Sequence, residues 1–346
     1  MRRLLAIVNA SAGGVGDEVV SEVLAVLGEH ADTVRVGIDD PADLPRALAE
    51  HPKRDPVVLG GDGTLHRLVE ALAERGELGV RTVGLVPLGT GNDLARGLGV
   101  PLDPVEAARA AALGEPRSLD LLRDDDGGIV VNAVHLGVGV EAARAAKPLK
   151  PVLRRFAYAV GSVVAGVRTQ GLPLRVEVDD RIVADGRHRV LMLGIGNGRS
   201  IGGGTPLTPG ARPADGLADV VVSFATSPLQ RLLYGVLLRF GRHTGRPEVV
   251  TVRGTRIRIT GPPVHVNADG ELTGPFAGRT WTVEAGAWQL ALTRPPLTAA
   301  RAVRTRAPAR AGPARPLGCG HAGACRAGRR SERRRCAWCP PGGTRI

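Results

Sequence analysis

Two stretches of the chain set carboxylates among glycines, in positions where phosphate chemistry could be done. They are GGDGT (60–64) and GTGND (89–93). Each follows an apolar run, VVL (57–59) or TVGLVPL (82–88), and each opens a helix-like segment. Leu65, Leu68, Val69 and Leu72 recur at i, i+3, i+4 and i+7, the spacing of one helix face. Glycine tolerates positive φ and close backbone approach, and a helix N-terminus offers free N–H groups and partial positive charge to an anion. A phosphate is the leading candidate. Main-chain donors suit its oxygens, while carboxylates suit a magnesium ion bound to it. GGDGT alone also reads as a tight strand-to-helix connection; the second turn, with Thr90, Asn92 and Asp93, shifts the balance. Neither turn fits the P-loop or dinucleotide fingerprint.

These turns need a sheet to hold them. Residues 3–9, 33–38, 57–59 and 82–88 read as strands, alternating with helical segments at 19–29, 41–50, 65–75 and 103–114. That order argues for a doubly wound α/β sheet with ligands at the carboxyl ends of its strands. From about residue 117 the pattern becomes short strand-like runs separated by Gly, Asp and Pro, which suggests an antiparallel sandwich. VDDR (178–181) reads as a hairpin turn, and so does NADGE (267–271), since Asp-Gly is a strong turn signal. Helical segments at 153–169 and 228–243 interrupt the strands.

Charge and cysteine usage narrow the class. The net charge is +12, but residues 298–346 hold 12 of the 46 basic residues and one of the 34 acidic ones, leaving a body at +1. Bulk charge therefore gives the folded part no specific nucleic-acid partner. Cys319, Cys325, Cys336 and Cys339 all lie in that tail, so the body has no disulfide. The tail is rich in Arg, Ala and Pro and is expected to be disordered; a zinc site there is the lesser reading, given the irregular cysteine spacing. No apolar stretch is long enough to span a bilayer, and LLAIV near the start is too short for a signal peptide. A cytoplasmic enzyme is the expectation.

Taken together, IVNASAGG, GGDGT, PLGTGNDLAR, SLDL, NAVHLGVGVEA, GNGRSIGGGTPLTPGARPADGLADV and VNADGE, in this order over residues 4–295, resemble the diacylglycerol kinase catalytic-domain family. This family of soluble lipid kinases also includes sphingosine and ceramide kinases. The resemblance implies an N-terminal NAD kinase/phosphofructokinase-like α/β domain (1–122, with 288–296 returning to it) and a C-terminal β-sandwich domain for the lipid substrate (123–287). It implies ATP as phosphoryl donor, Mg2+, and a lipid hydroxyl as acceptor, most simply that of diacylglycerol. Nucleotide binding falls to Asn9, Ser11, Gly60, Gly61, Asp62, Gly63, Thr64, Gly89, Thr90, Asn92 and Asp93. Asp62, Asp93 and Asp120 match a carboxylate network that organises magnesium, and Asp62 and Asp93 count among the catalytic residues. Asp215, with the main-chain carbonyls of Arg212 and Leu217, matches a structural magnesium site. Glu271 of the Asp-Gly-Glu motif corresponds to the general base; a placed carboxylate can take the proton of an alcohol.

The chain departs from the family at several points. Ala10 replaces a proline, Gly14 a common basic residue, and His66-Arg67 the usual Asn-Glu, so that these two side chains either face the phosphates or are plain first-turn residues. A lipid substrate implies transient contact with the inner membrane surface. Residues 153–169 and 228–243 carry arginines beside apolar runs, but covering a sheet is the simpler role for both. A homodimer is left open. The rival readings are an NAD kinase-like enzyme, whose ribose-binding Asn-Asn-Glu motif is absent, and a catalytically silent lipid- or nucleotide-binding protein.

Overall fold

A computed structural model describes residues 1–9, 16–38, 40–137 and 171–293. Ser11, the 153–169 segment and the arginine-rich tail with its cysteines lie outside the described residues. Strands β1 (Arg3–Asn9), β2 (Asp32–Ile38), β3 (Asp55–Gly60) and β4 (Thr82–Pro87) pair in parallel in the order β2-β1-β3-β4. β1, β3 and β4 are almost continuously apolar, as expected of strands covered on both faces. On one face, α1 (Asp17–His30) and α5 (Pro104–Leu113) bury Val23, Leu27, Ala107 and Ala111 against Leu4, Ala6, Val57 and Val86. On the other, α2 (Leu44–Glu50), α3 (Asp62–Glu74) and α4 (Asp93–Leu98) bury Leu48, Leu65, Leu68 and Leu94 against Leu5, Ile7, Val58 and Leu85. Each fully buried leucine contributes roughly 1.5–3 kcal/mol. The sheet is doubly wound.

This strand order reverses direction between β1 and β3. At such a switch point the connections leave to opposite faces and open a crevice at the carboxyl ends. Asn9 ends β1 and Gly60 ends β3, so the first glycine-rich turn sits at that crevice. One local expectation changes. Residues 41–50 form a 3-10 turn (Pro41–Asp43) followed by the short α2, because Pro45 has no N–H to donate and is tolerated only in the first turn of a helix.

The second half is antiparallel. β7 (Ala133–Gly137), β10 (Met192–Gly196), β11 (Ala218–Ser223), β12 (Val249–Gly254), β13 (Arg256–Ala268) and β14 (Glu271–Leu292) pair in the order β12-β11-β10-β7-β13-β14. β8 (Arg175–Val178) and β9 (Arg181–Asp185) extend from β13, and β5 (Glu115–Asp124) with β6 (Ile129–Val130) from β14. Leu136, Val176, Ile195, Val220, Ile257, Val266 and Trp281 form the core. The β8–β9 turn holds Asp179 and Asp180 at φ 45 and 66, the left-handed pair that a two-residue hairpin requires. β14 leaves β13 and runs on to pair in parallel with β4 through Gln289 and Leu290. One strand thus belongs to both halves.

Helix α6 (Pro228–Arg239) starts with a capping box between Ser227 and Gln230. The expectation that this segment covers a sheet holds for one face only, where Tyr234 packs on Met192 of β10 and Val221 of β11 and Leu238 lies against the same cluster. Only Tyr234 is buried, with its ring edge-on to His243 at 5.5 Å, while Leu229, Leu232, Val236 and Phe240 are 75%, 66%, 50% and 69% exposed. The helix has apolar residues on two sides, and the core takes only the Tyr234 side. No described helix is long and apolar enough to cross a membrane.

Candidate active site

The two glycine-rich turns touch through their backbones. A Cβ on Gly89 would lie 2.5 Å from the Gly61 Cα, and one on Gly61 would lie 3.1 Å from the Gly89 Cα. Only glycines permit that approach. Leu88 N–H donates to the Gly60 carbonyl at 2.9 Å, and Asn9 Nδ2 donates to Thr64 Oγ1 at 3.1 Å, tying the ends of β1, β3 and β4 together. Asn92 takes the left-handed conformation (φ 51) and its amide donates to the Gly89 carbonyl at 2.7 Å. Its Oδ1 is buried without a hydrogen-bond partner. Gly63 and Thr90 are exposed at the turn tips.

The aspartates of the turns are wired into each other. Asp62 accepts from the N–H groups of Asp93 (3.0 Å) and Leu94 (3.3 Å), which are first-turn donors of α4. Asp93 in turn accepts from Gly203 and Gly204, both at 2.8 Å. Burial pushes the Asp62 carboxyl above its ordinary range; the Asp93 amide opposes this, and the nearby charges of Asp93 and Asp269 add to it. Carboxylates so crowded suit a cation. Asp62 and Asp93 are the carboxylates of the turns that could hold a magnesium ion, while the Asn92 oxygen is buried between Gly61 and Gly89.

Asp120 and Asp215 stand apart from that pair. Asp120 is 2% exposed, and its carboxylate accepts from Gly216 (2.7 Å) and Gly286 (2.8 Å), while its carbonyl accepts from Asn197 Nδ2 and Trp288 Nε1. It stitches the 213–216 loop to the irregularity in β14 between Glu284 and Trp288. The Asp215 carboxylate is ion-paired with Arg253, which also holds Asp219 at 3.0 Å. The Arg212 carbonyl accepts from Ala214 at 2.8 Å, and the Leu217 N–H bonds Asp215 at 3.3 Å. A cation already occupies the Asp215 carboxylate, and it is a guanidinium. Among the described residues, no group of three or more His, Cys, Asp or Glu forms a metal cluster.

Glu271 opens β14 directly after the Asp269-Gly270 turn. That turn is anchored by Asp269, which accepts from three successive amides, Val131 (2.6 Å), Asn132 (3.0 Å) and Ala133 (2.8 Å). The same carboxylate meets His66 Nδ1 at 2.9 Å, and His66 Nε2 lies 3.2 Å from Glu70. Burial lowers the His66 pKa, but Asp269 and Glu70 outweigh it and raise the ring to about 10. The imidazole is a cation at neutral pH. Arg67 bonds Glu70 at 2.8 Å and pairs with Glu271 across 204 residues of sequence. Helix α3 thus begins in the phosphate-type turn and holds the Asp-Gly-Glu hairpin one turn later.

The family model for the diacylglycerol kinase catalytic domain matches residues 3–123, and that for the YegS C-terminal NAD kinase beta sandwich-like domain matches 132–292. A probable lipid kinase YegS-like of Stenotrophomonas maltophilia is 33% identical over 262 residues, covering 72% of this chain and 82% of that protein. The chain belongs to the diacylglycerol kinase catalytic-domain family. A diacylglycerol kinase of Mycobacterium tuberculosis is 30% identical over 240 residues, covering 66% of this chain and 74% of its own length. A crystal structure of a putative diacylglycerol kinase from Bacillus anthracis superposes with a TM-score of 0.69 at 22% identity, over 84% of this chain and 98% of that one. That likeness is one of fold: an α/β half and a β-sandwich half. Family membership makes the chain an ATP-using lipid kinase.

Within this family member the structure gathers Asn9, Gly60, Gly61, Asp62, Thr64, Gly89, Asn92 and Asp93 at one strand-end crevice, with Glu271 reaching the same helix. Reading the sequence missed three contributors. Gly203 and Gly204 hold Asp93, and the GGG run at 202–204 was a usable signal, since all three glycines have positive φ. Asp269 was read only as a turn former. His66 was singled out beside Arg67, but its partner Asp269, 203 residues away, was not readable.

Proposed function

We propose that this lipid kinase transfers the γ-phosphoryl group of ATP to the hydroxyl of diacylglycerol, giving phosphatidic acid, with Glu271 as general base. The observation that carries the reading is the link from Glu271 through Arg67 to helix α3, whose N-terminus is the GGDGT turn. In this reading residues 1–122, with the chain from 288, bind nucleotide, and 123–287 receive the lipid. Main-chain N–H groups of the two turns and the Asn9, Thr64, Thr90 and Asn92 side chains orient the phosphates. Glu271 accepts the hydroxyl proton as the new O–P bond forms and the bond to the ADP oxygen breaks. Asp62 and Asp93 would hold Mg2+, which would neutralise phosphate charge. A second ion at Asp215, with the carbonyls of Arg212 and Leu217, would have to displace Arg253.

The acceptor lies in a bilayer, and α6 offers a way to reach it. Leu229, Leu232, Val236 and Phe240 recur at i, i+3, i+7 and i+11 on one exposed stripe, with exposed Arg239 and Arg242 close by. Such a face lies in the interface of an anionic membrane. The deciding experiment supplies labelled ATP to anionic phospholipid vesicles containing diacylglycerol, with wild type, Glu271→Ala and Leu232→Glu. Phosphatidic acid formed by wild type and lost by about 10²–10⁴-fold in Glu271→Ala supports the assignment. Equal labelling moves the base elsewhere. Leu232→Glu should slow transfer on vesicles but not to diacylglycerol in detergent; no change on vesicles overturns the docking role of α6.

A further inference from the structure

We infer that Arg67 binds the phosphoryl group being transferred. The inference rests on the kinase reading of the site and deepens it. Arg67 lies in the first turns of α3, five residues after the Asp62 of the glycine-rich turn. The structure gives this arginine a definite address. One terminal nitrogen bonds Glu70 on its own helix, and the other pairs with Glu271 on the opposite half.

Stability alone does not account for that reach. Arg67 and Glu271 are 41% and 49% exposed, and such surface pairs contribute only about 0–1 kcal/mol. Geometry of the reaction does account for it. A general base acts within about 3 Å of the attacking oxygen, and that oxygen begins about 3–3.5 Å from phosphorus. The transferred group therefore comes within about 7 Å of the carboxylate that Arg67 already holds. A guanidinium carries five N–H donors in a planar fork, and the two ion pairs leave donors over for phosphoryl oxygens.

Electrostatics points the same way. Asp62, Glu70, Asp93, Asp269 and Glu271 converge here, and His66, the neighbouring cation, is locked between Asp269 and Glu70. Arg67 is the more exposed of the two cations, with its side chain at 41% against 7% for His66. No atom passes through it. It donates hydrogen bonds to non-bridging oxygens while the γ-phosphoryl moves from the ADP oxygen to the lipid oxygen and the proton goes to Glu271.

The test uses the full chain, titrated calorimetrically with ATP and with ADP in magnesium buffer, in wild type, Arg67→Ala and Arg67→Lys. Arg67→Ala should weaken ATP by about tenfold, the loss of one charge-assisted hydrogen bond, and leave ADP within twofold. Its turnover should fall about 10²-fold, as for other removed transition-state donors. Arg67→Lys keeps the charge but loses the fork, so it should recover ATP affinity more than turnover. Equal changes for ATP and ADP, or none for either, overturn the inference. If wild type prefers ATP through Arg67 yet labels no lipid, the γ-phosphate contact stands and the acceptor assignment falls.

Discussion

The glycine-rich turns and the Asp-Gly hairpin meet at helix α3, yet different forces hold them. The turns are fastened by main chain: Gly61 packs on Gly89, Asp62 bonds amides of the second turn, and Asp93 bonds those of Gly203 and Gly204 in the other half. Their partners within the α/β half are about 30 residues apart, and no ion pair is needed between them. The hairpin is anchored on its own half by three main-chain amides to Asp269, and charge adds the ties to α3: His66 to Asp269 and Arg67 to Glu271, each across more than 200 residues. In the proposed reading, the phosphates meet a surface fastened by main chain, and the proposed base Glu271 is tied to α3 by a contact that salt, pH and a single substitution can move.

The largest expected effect on nucleotide binding breaks the rigid side. Gly89→Ala puts a Cβ against backbone, which costs roughly 1–3 kcal/mol and spreads the turns. ATP affinity should fall at least tenfold by calorimetry, whereas Gly97→Ala, with nothing near its Cβ, should leave it unchanged. Affinity retained in Gly89→Ala would show the turns to be compliant.

Asp269→Ala attacks the other side. Three amides and His66 lose their acceptor, and a loss of about 3 kcal/mol should show in chemical denaturation. If the halves are as distinct as the structure suggests, lipid transfer drops while ATP binding holds. Loss of both together would make them one unit.

The smallest effect sharpens the comparison through pH. His66 has a folded pKa raised to about 10, above its ordinary 6.5, so its protonated form stabilises the fold. That contribution is complete below pH 6.5 and fades as pH rises toward about 10. The Tm difference between wild type and His66→Gln should therefore shrink over this window. A gap that stays constant with pH would deny the ring its charge.

How much of this was legible beforehand follows the same division. The four parallel strands, the helices between them, the hairpin at Asp179-Asp180 and the family were all readable, because periodicity, turn chemistry and motif spacing are local properties. α6 was half legible for a related reason. Its sequence shows apolar residues with helical spacing, but not that Tyr234 and Leu238 pack on the sheet while Leu232 and Phe240 stay outside. Asp120, grouped with the phosphate-turn aspartates by resemblance, bonds Gly216 and Gly286, and Asp215, matched to a separate structural magnesium site, pairs with Arg253.

The sequence by itself determined the doubly wound half, the position of the phosphate-type turns at strand ends, and the chemistry their glycines and carboxylates allow. Tertiary structure alone decided which charges meet. A β14 that passes from one half to the other, and a hairpin that returns Glu271 to α3, bring together residues that nothing in the local sequence connects. Backbone conformation responds to neighbours a few residues away; charge pairing responds only to distance in space.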